Sequence, residues 1–413
     1  MDRELLVYVD LGAEPVRAGR LWARARGNKE SASFEYAREW LEHPRAFAFD
    51  PSLPLGAGLF HTDQPLFNAF TDPAPDRWGQ TLMRRNERAR ARREGRQPRT
   101  LLHVDFLALV DDETRLGALR FKDANSDVFL AADGRRIPPV IELPRLLAAT
   151  GRIVEDRETE EDLELVLAPG TSLGGARPKA SVRDADGRLL IAKFPRKDDE
   201  WPLTRWEATT LALAESAAIE VSPWRLETIA RKAVLLVERF DRRDGRRLPF
   251  MSALTAVGAT ESDGRSYIEI ADALRTDGAE VTRDLRQLWR RMVFNILVSN
   301  TDDHLRNHGF LRAARGWRLS PAYDMNPMPV DVRPRVHVLA IDEEDQTSSL
   351  TNAMKVAPSF GISKAAEART IAKEVASAVA KWRDVAARHG LRKAEIDRME
   401  SAFEHDDLRA ALA

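Results

Sequence analysis

The sequence predicts an α+β protein with a mixed α/β N-terminal part and a mostly helical C-terminal lobe. Three observations predict it. Short apolar runs of strand type recur through the first 70 residues and again between about 180 and 240. Beyond about residue 250 the apolar residues fall at helical spacing. The 413 residues are 43% hydrophobic, enough for a large core spread over two or three lobes.

The elements follow in order. Leu5–Val9 and the segment around Leu21-Trp22-Ala23 read as strands, and Pro51–Gly56 as a loop. From Pro75 the pattern turns helical, with Trp78, Leu82 and Met83 near one face, and runs into eight arginines between Arg84 and Arg99. Residues 101–111 are expected to be helical, Arg115–Phe121 a strand, and Pro144 the opening of a helix that carries Leu146 and Leu147. The acidic stretch Glu155–Glu164 reads as a solvated helix start. Ser172–Lys179 is a tight polar loop, followed by strands Ala180–Val182 and Leu189–Phe194 around an Asp186-Gly187 turn. A helix carrying Glu207, Leu211 and Leu213 comes next, then a buried strand over Ala233–Phe240. Thr282 is the expected N-cap of a helix whose stripe runs from Leu285 to Leu297 and which ends at Ser299-Asn300. A polar loop, Thr301–Gly309, leads into a hairpin of Phe310-Leu311 and Trp317–Leu319, closed by Pro321–Met325. From about Ser363 the chain reads as amphipathic helix with Ile371, Val375, Val379 and Trp382.

Composition narrows the function. Lys plus Arg number 64 against 65 Asp plus Glu, a net charge of -1, so the chain as a whole is not a polybasic nucleic-acid binder. The absence of cysteine removes disulfides, iron–sulfur clusters, thiolate zinc sites and thiol nucleophiles. No apolar run approaches the roughly 18 to 20 residues of a membrane helix, and the charged N-terminus does not read as a signal peptide. The expectation is a cytoplasmic protein.

The informative unit runs from Asp302 to Asp324. Phosphoryl transfer needs a carboxylate to take the proton of the attacking hydroxyl, and an amide and a second carboxylate to hold Mg²⁺ on the nucleotide phosphates. Protein kinases carry the base and the metal amide in one loop as D-x-x-x-x-N, and Asp302 and Asn307 have that spacing. The hairpin then delivers Asp324 as the second metal carboxylate. Lys193, on an upstream strand, is placed to meet the ATP phosphates, and Glu207 on the next helix to orient that lysine. The glycine-bearing loop before the lysine strand, with Gly174, Gly175, Ala176 and Lys179, would cover the phosphates with backbone N–H groups. Each part alone is weak; the order of all five carries the reading.

Other chemistries fit less well. His304 and His308 have zincin spacing, but no Glu lies between them and the segment reads as loop. Gly170–Gly175 lacks the Gly-Lys ending of a P-loop. Gly170–Gly174 matches G-x-S-x-G, but Pro169 precedes it and a strand rather than a helix follows.

Five motifs taken together resemble the HipA family. They are Ser172–Lys179, Ala192-Lys193-Phe194-Pro195, Glu238-Arg239-Phe240-Asp241-Arg242, Asn300–Asn307 and Leu319–Asp324; Pro73–Gly79 resembles the family's N-terminal subdomain. The family consists of serine/threonine kinases that act as toxins of type II toxin–antitoxin modules, with a fold similar to protein and phosphoinositide kinases. The resemblance implies a two-lobed kinase-like fold divided into a HipA N-terminal subdomain over 1–120, a kinase N-lobe over 121–245 and a helical C-lobe over 246–413. It implies ATP and Mg²⁺ as cofactors, Asp302 as base, Asn307 and Asp324 as metal ligands, and Lys193 on the phosphates. His304 would orient the catalytic loop, Glu238 would meet adenine through its neighbouring backbone, and Ser172 would be autophosphorylated. A HipB-like helix-turn-helix antitoxin and a substrate in translation, such as an aminoacyl-tRNA synthetase, are the implied partners, with DNA reached only through the antitoxin. Better-known members carry Gln-Glu-Lys where this chain has Arg177-Pro178-Lys179. Two alternatives remain, a small-molecule phosphotransferase and a catalytically silent antitoxin-binding corepressor. The arginines between Arg84 and Arg99 are either a solvated helix face or a contact for DNA or partner.

Overall fold

Alternation in the first segment builds a sheet. In β1 (Asp2–Val9) Leu5, Val7 and Val9 are fully buried and their neighbours are not, the period of two of a strand with one face on a core. β2 (Val16–Arg26), β3 (Lys29–Tyr36) and β4 (Leu59–Thr62) follow antiparallel, and β5 (Leu119–Asp123) pairs with the free side of β1. Phe34 anchors the covered face, its ring 4.8 Å from Tyr36, 5.2 Å from Phe70 and 5.9 Å from Phe49. This computed structural model describes residues 2–12, 14–27, 29–132, 137–167, 175–260 and 263–413. Two compact units make up the chain. The first is Met1–Lys197, Ile229–Arg231 and Glu238–Met251; the second is Asp198–Thr228, Lys232–Val237 and Ser252–Ala413.

In the first unit the helix Arg77–Arg93 buries Trp78, Leu82 and Met83, as the spacing predicts. Its arginines reach the acidic segment. Arg85 pairs with Asp156 at 2.6 Å and Glu158 at 3.0 Å, and Arg93 with Glu160 at 3.5 Å. That segment is not one solvated helix start. A helix ends at Val154, Asp156 turns the chain at φ 54, and a second helix, Glu160–Leu167, begins beyond it. Asp162 is buried there, and hydrogen bonds from Arg152 and Thr159 hold its carboxyl down at about 2.

The strand expected over Arg115–Phe121 starts only at Leu119. Arg115 is wholly buried and donates to the carbonyls of Leu107 and Val110 at 2.7 and 2.8 Å, satisfying the end of helix His103–Leu109. Gly117 then turns at φ 74 against Phe250, which would stand 3.2 Å from a Cβ there, a conformation and a clearance that would strain any side chain.

The Glu-Arg-Phe-Asp-Arg motif is a buried clamp. Asp241 has no exposed surface and accepts from Arg239 at 2.7 and 2.9 Å, from Arg242 at 2.6 Å and from the Gly117 N–H at 2.8 Å. Arg239 also donates to the Thr114 carbonyl, and Arg242 to those of Glu113 and Arg115 at 2.9 and 2.7 Å. Burial pushes the Asp241 carboxyl up, but the two guanidiniums outweigh it and hold the group below the usual carboxylate range. The motif thereby ties two segments more than a hundred residues apart in sequence.

Beside it lies a hairpin of β6 (Lys179–Arg183) and β7 (Leu189–Lys193), turned at Gly187 with φ 83. The second unit is mostly helical, as expected. Helix Leu203–Ser216 precedes a hairpin of β8 (Trp224–Ile229) and β9 (Lys232–Glu238). Helix Val281–Leu297 buries Leu285, Leu288, Trp289, Met292, Val293, Ile296 and Leu297. Thr282 lies inside its first turn rather than capping it. The chain enters at Glu280, whose carboxylate is taken by Arg318 at 2.7 Å. Helix Ala365–Val379 buries Ile371, Val375 and Val379; Trp382 opens a separate helix, Trp382–Arg388, and stacks on Phe403 at 4.5 Å. Among the described residues no helix is long and apolar enough to cross a membrane.

Removing the Asp241 carboxylate leaves Arg239 and Arg242 buried without their counter-charge. Asp241→Ala is expected to destabilise the first unit by about 3–5 kcal/mol. Denaturant unfolding checks this; a loss near zero would show that the clamp is held by the backbone carbonyls alone.

Candidate functional site

The candidate catalytic segment lies wholly in the second unit. Helix Val281–Leu297 stops where Ser299 enters the left-handed region at φ 52. Asn300 fixes the exit. Its N–H donates to the Asn295 carbonyl at 2.8 Å and its Nδ2 to Asn295 Oδ1 at 3.2 Å, while its Oδ1 accepts from the Asn326 N–H at 3.4 Å. One amide thus joins the start of the loop to the segment just past Asp324.

The two adjacent carboxylates part company here. Asp302 is outward, its side chain 66% exposed, with Oδ1 2.8 Å from Arg333 Nη1. Asp303 is inward and 2% exposed. Its Oδ2 accepts from His308 Nε2 at 2.7 Å, from Asn295 Nδ2 at 3.1 Å and from the Tyr267 hydroxyl. Burial works against the charge of Asp303, but His308 and these donors outweigh it and keep the carboxyl below its ordinary value. Of the two, only Asp302 is open to a substrate hydroxyl.

Asn307 sits on the short 3-10 turn Leu305–Asn307 and is buried. Its Nδ2 donates to the Asp302 carbonyl at 3.4 Å; its Oδ1 has no hydrogen-bond partner among the described residues. A buried amide oxygen left without a donor is costly, and it is the atom a metal ion would take. Strand Gly309–Arg312 turns at Gly316, φ 90, into strand Trp317–Leu319, and the chain reaches Asp324 in the left-handed conformation at φ 58. That conformation costs a non-glycine residue of order 1 kcal/mol. The Tyr323 hydroxyl donates to the Arg306 carbonyl at 2.8 Å, so the residues before Asp324 and before Asn307 are bonded to each other. An amide oxygen and a carboxylate held on neighbouring segments suit a hard cation that keeps other oxygen ligands from phosphate and water. His304 precedes the 3-10 turn, half-buried.

In the first unit the two candidate phosphate lysines sit on the β6–β7 hairpin. Lys179 and Lys193 are direct cross-strand partners and share a face. Lys179 is buried, and its Nζ lies 2.7 Å from Asp76 Oδ2. The other Asp76 oxygen accepts from the Gly79 N–H at 2.8 Å and caps helix Arg77–Arg93. Lys193 is half-buried at the end of β7. Gly175, at φ 100, and Ala176 are exposed; Ser172 and Gly174 lie outside the described residues. Glu238 ends β9, and its carboxylate lies 2.7 Å from Arg188. Glu207 is buried on helix Leu203–Ser216 of the second unit.

Sequence reasoning did not single out Asp303, Tyr267 or Asn295, touched Asp76 only as part of a motif, and weighed His308 only as a zinc ligand. Asp76 could have been found as an N-cap ahead of an apolar helix face. The Asp303–His308 pair has the same five-residue offset as Asp302–Asn307, one position later, but nothing in the sequence says which register faces inward.

Two lobes of this composition, with an aspartate–asparagine loop and a second aspartate after a hairpin, define a kinase-like α+β protein. A model of the HipA-like C-terminal domain matches residues 171–382, and one of the HipA N-terminal domain matches residues 9–122. The chain belongs to the HipA family. The HipA chain of a Shewanella oneidensis MR-1 toxin–antitoxin complex with HipB and operator DNA superposes with a TM-score of 0.69. At 17% identity, over 99% of this chain and 96% of that one, the likeness is one of fold. Y4mE of Sinorhizobium fredii, provisionally named a kinase, is 27% identical over 180 residues. That match covers 37% of this chain and 41% of Y4mE, so the chain spans about two fifths of that relative's length. The Helicobacter pylori proinflammatory kinase CtkA aligns over 57% of this chain and 92% of its own, at 14% identity and a TM-score of 0.38.

His337 is buried and His405 half-buried. Burial pushes His337 and His405 down to about 4 from an ordinary 6.5, so both are neutral in the fold. As pH falls from about 6.5 toward 4 the unfolded chain binds protons that the fold refuses, and stability declines across that window. The urea midpoint is expected to drop between about pH 7 and pH 5, and less so in His337→Gln, which can keep the bond to Ser348. An identical drop in that variant would remove His337 from the account.

Proposed function

We propose that this chain is an ATP- and Mg²⁺-dependent serine/threonine protein kinase acting as the toxin of a HipA/HipB-type module. The observation that carries the reading is the state of Asn307: a buried Oδ1 without a hydrogen-bond partner among the described residues, in the same loop as one exposed carboxylate and bonded through Arg306 and Tyr323 to the segment of another. That donor set suits the metal of a phosphoryl-transfer site.

Asp302 accepts the proton of the attacking Ser or Thr hydroxyl. Its ion pair with Arg333 is half-exposed, so it opens at small cost when a substrate arrives. Asn307 and Asp324 would hold the metal, which when bound would supply positive charge against the ATP phosphates. Lys193 contacts the phosphates and Glu207 orients it. Gly174, Gly175 and Ala176 supply backbone N–H groups, and Lys179 anchors the exit of that loop through Asp76. Glu238 presents its neighbouring backbone to adenine, and His304 shapes the loop around the base. Ser172 is the site of autophosphorylation. The roughly -1.5 to -2 charges of a phosphoserine beside a site for polyanionic ATP would switch the enzyme off.

Family membership supports a HipB-like helix-turn-helix antitoxin as partner, with DNA reached through it, and a protein of translation such as an aminoacyl-tRNA synthetase as substrate, in the cytoplasm.

Incubation with labelled ATP and Mg²⁺ tests the reading on the chain itself and on a Ser/Thr peptide mixture. Wild type is expected to transfer label, and Asp302→Ala to lose about 10²-fold or more of the rate. Equal incorporation by both would end the kinase reading. Label at Ser172, absent in Ser172→Ala, identifies the switch. Transfer to metabolites with none to protein would point to a small-molecule phosphotransferase.

A further inference from the structure

We propose that Asp303 and His308 form a side-chain staple across the catalytic loop, and that Asp303 is a positioning residue for phosphoryl transfer. The proposal rests on the kinase reading above. The candidate base Asp302 and the candidate metal ligand Asn307 open and close a six-residue segment. Asp303 and His308 stand one residue further along at each end, and their side chains meet at 2.7 Å. The staple therefore fixes the span between the two functional residues from beneath.

Its chemistry is directional. A carboxylate only accepts, so His308 carries its proton on Nε2, facing Asp303. The Tyr267 hydroxyl donates to the same carboxylate oxygen and accepts from Asn295 Nδ2 at 3.1 Å, and Asn295 Nδ2 also reaches Asp303 at 3.1 Å. These four residues are each 2% exposed or less. Tyr267 opens helix Tyr267–Asp277 and Asn295 belongs to helix Val281–Leu297, so the staple is fastened to two helices. The backbone closes around it. The Asn307 N–H donates to the His304 carbonyl at 2.8 Å, and the Leu339 N–H to the Asp303 carbonyl at 3.2 Å.

A polar cluster that served only to stabilise the fold would, when cut, lower the unfolding midpoint and leave the turnover of folded molecules alone. A positioning staple acts otherwise, because displacement of a reacting group by about 1 Å can cost on the order of 10²-fold in rate. The test compares wild type with Asp303→Asn, His308→Gln, His308→Phe and Tyr267→Phe, below their unfolding temperatures. It reads kcat and the KM for ATP in the labelled-ATP assay, and hydrogen exchange of the amides over residues 302–308. Folded His308→Phe is expected to lose about tenfold or more in kcat, with KM for ATP near wild type and faster exchange in the loop. His308→Gln, whose amide can still donate to Asp303, should recover part of the loss. Should Asp303→Asn fail to fold, the His308 and Tyr267 variants decide the matter. An active wild type whose His308→Phe and Tyr267→Phe forms keep kcat while their loop amides exchange faster would overturn the staple alone. A kcat loss that merely tracks the unfolded fraction would overturn it too. A wild type that transfers no label overturns the kinase reading, and the staple's catalytic role with it.

Discussion

A carboxylate out of reach of water has to be met by donors, and this chain places such carboxylates where separate segments must converge. Asp241 gathers Arg239, Arg242 and the Gly117 backbone in the first unit. Asp303 gathers His308, Tyr267 and Asn295 in the second. Hydrophobic burial makes both cores, but burial is indifferent to small shifts in register. A buried charge is not, because each lost donor leaves part of its desolvation uncompensated. The clamp fixes how the turn at Gly117 meets the segment after β9. The inward aspartate fixes which way the loop carrying Asp302 faces.

Much of the fold was legible in the sequence, for physical reasons. β1 and the hairpin of β6 and β7 show alternation or continuous apolar runs beside a glycine turn. Helix Val281–Leu297 shows a wide apolar stripe at helical spacing, and these patterns survive any tertiary context. Arg115–Ala118 was misread as strand because its apolar content is that of a strand. What decides the matter is a buried guanidinium capping a helix eight residues earlier, which no local pattern announces. The acidic stretch Glu155–Glu164 was misread for a related reason. Its charges look solvated until the arginines of helix Arg77–Arg93 and Arg152 are brought against them.

The placement of the candidate residues was legible in outline. Spacing and order put Asp302 and Asn307 on a loop, Asp324 beyond the hairpin and Lys193 on a strand, where they stand. Spacing did not separate the outward from the inward member of two adjacent aspartates. That distinction is made by Asn295 on the preceding helix and by Tyr267, 36 residues before Asp303 in sequence. The Glu-Arg-Phe-Asp-Arg run was read as a mark of the nucleotide region, yet three of its five residues, Arg239, Asp241 and Arg242, form a structural clamp. Its one carboxylate at the strand end, Glu238, is engaged by Arg188. A motif can therefore be diagnostic of a family while most of its residues serve the architecture.

The pairing of Lys179 directly opposite Lys193 has a further consequence. Side chains on a strand alternate between faces, so the two ammonium groups share a face only while the ladder from Lys179 to Lys193 keeps its parity. One residue inserted within β7 ahead of Lys193 would leave the backbone bonds nearly intact and turn that lysine to the other side of the sheet. At the other end of the hairpin, the ion pair of Lys179 with Asp76 fixes where the chain enters β6. Length within β7 is thus counted residue by residue.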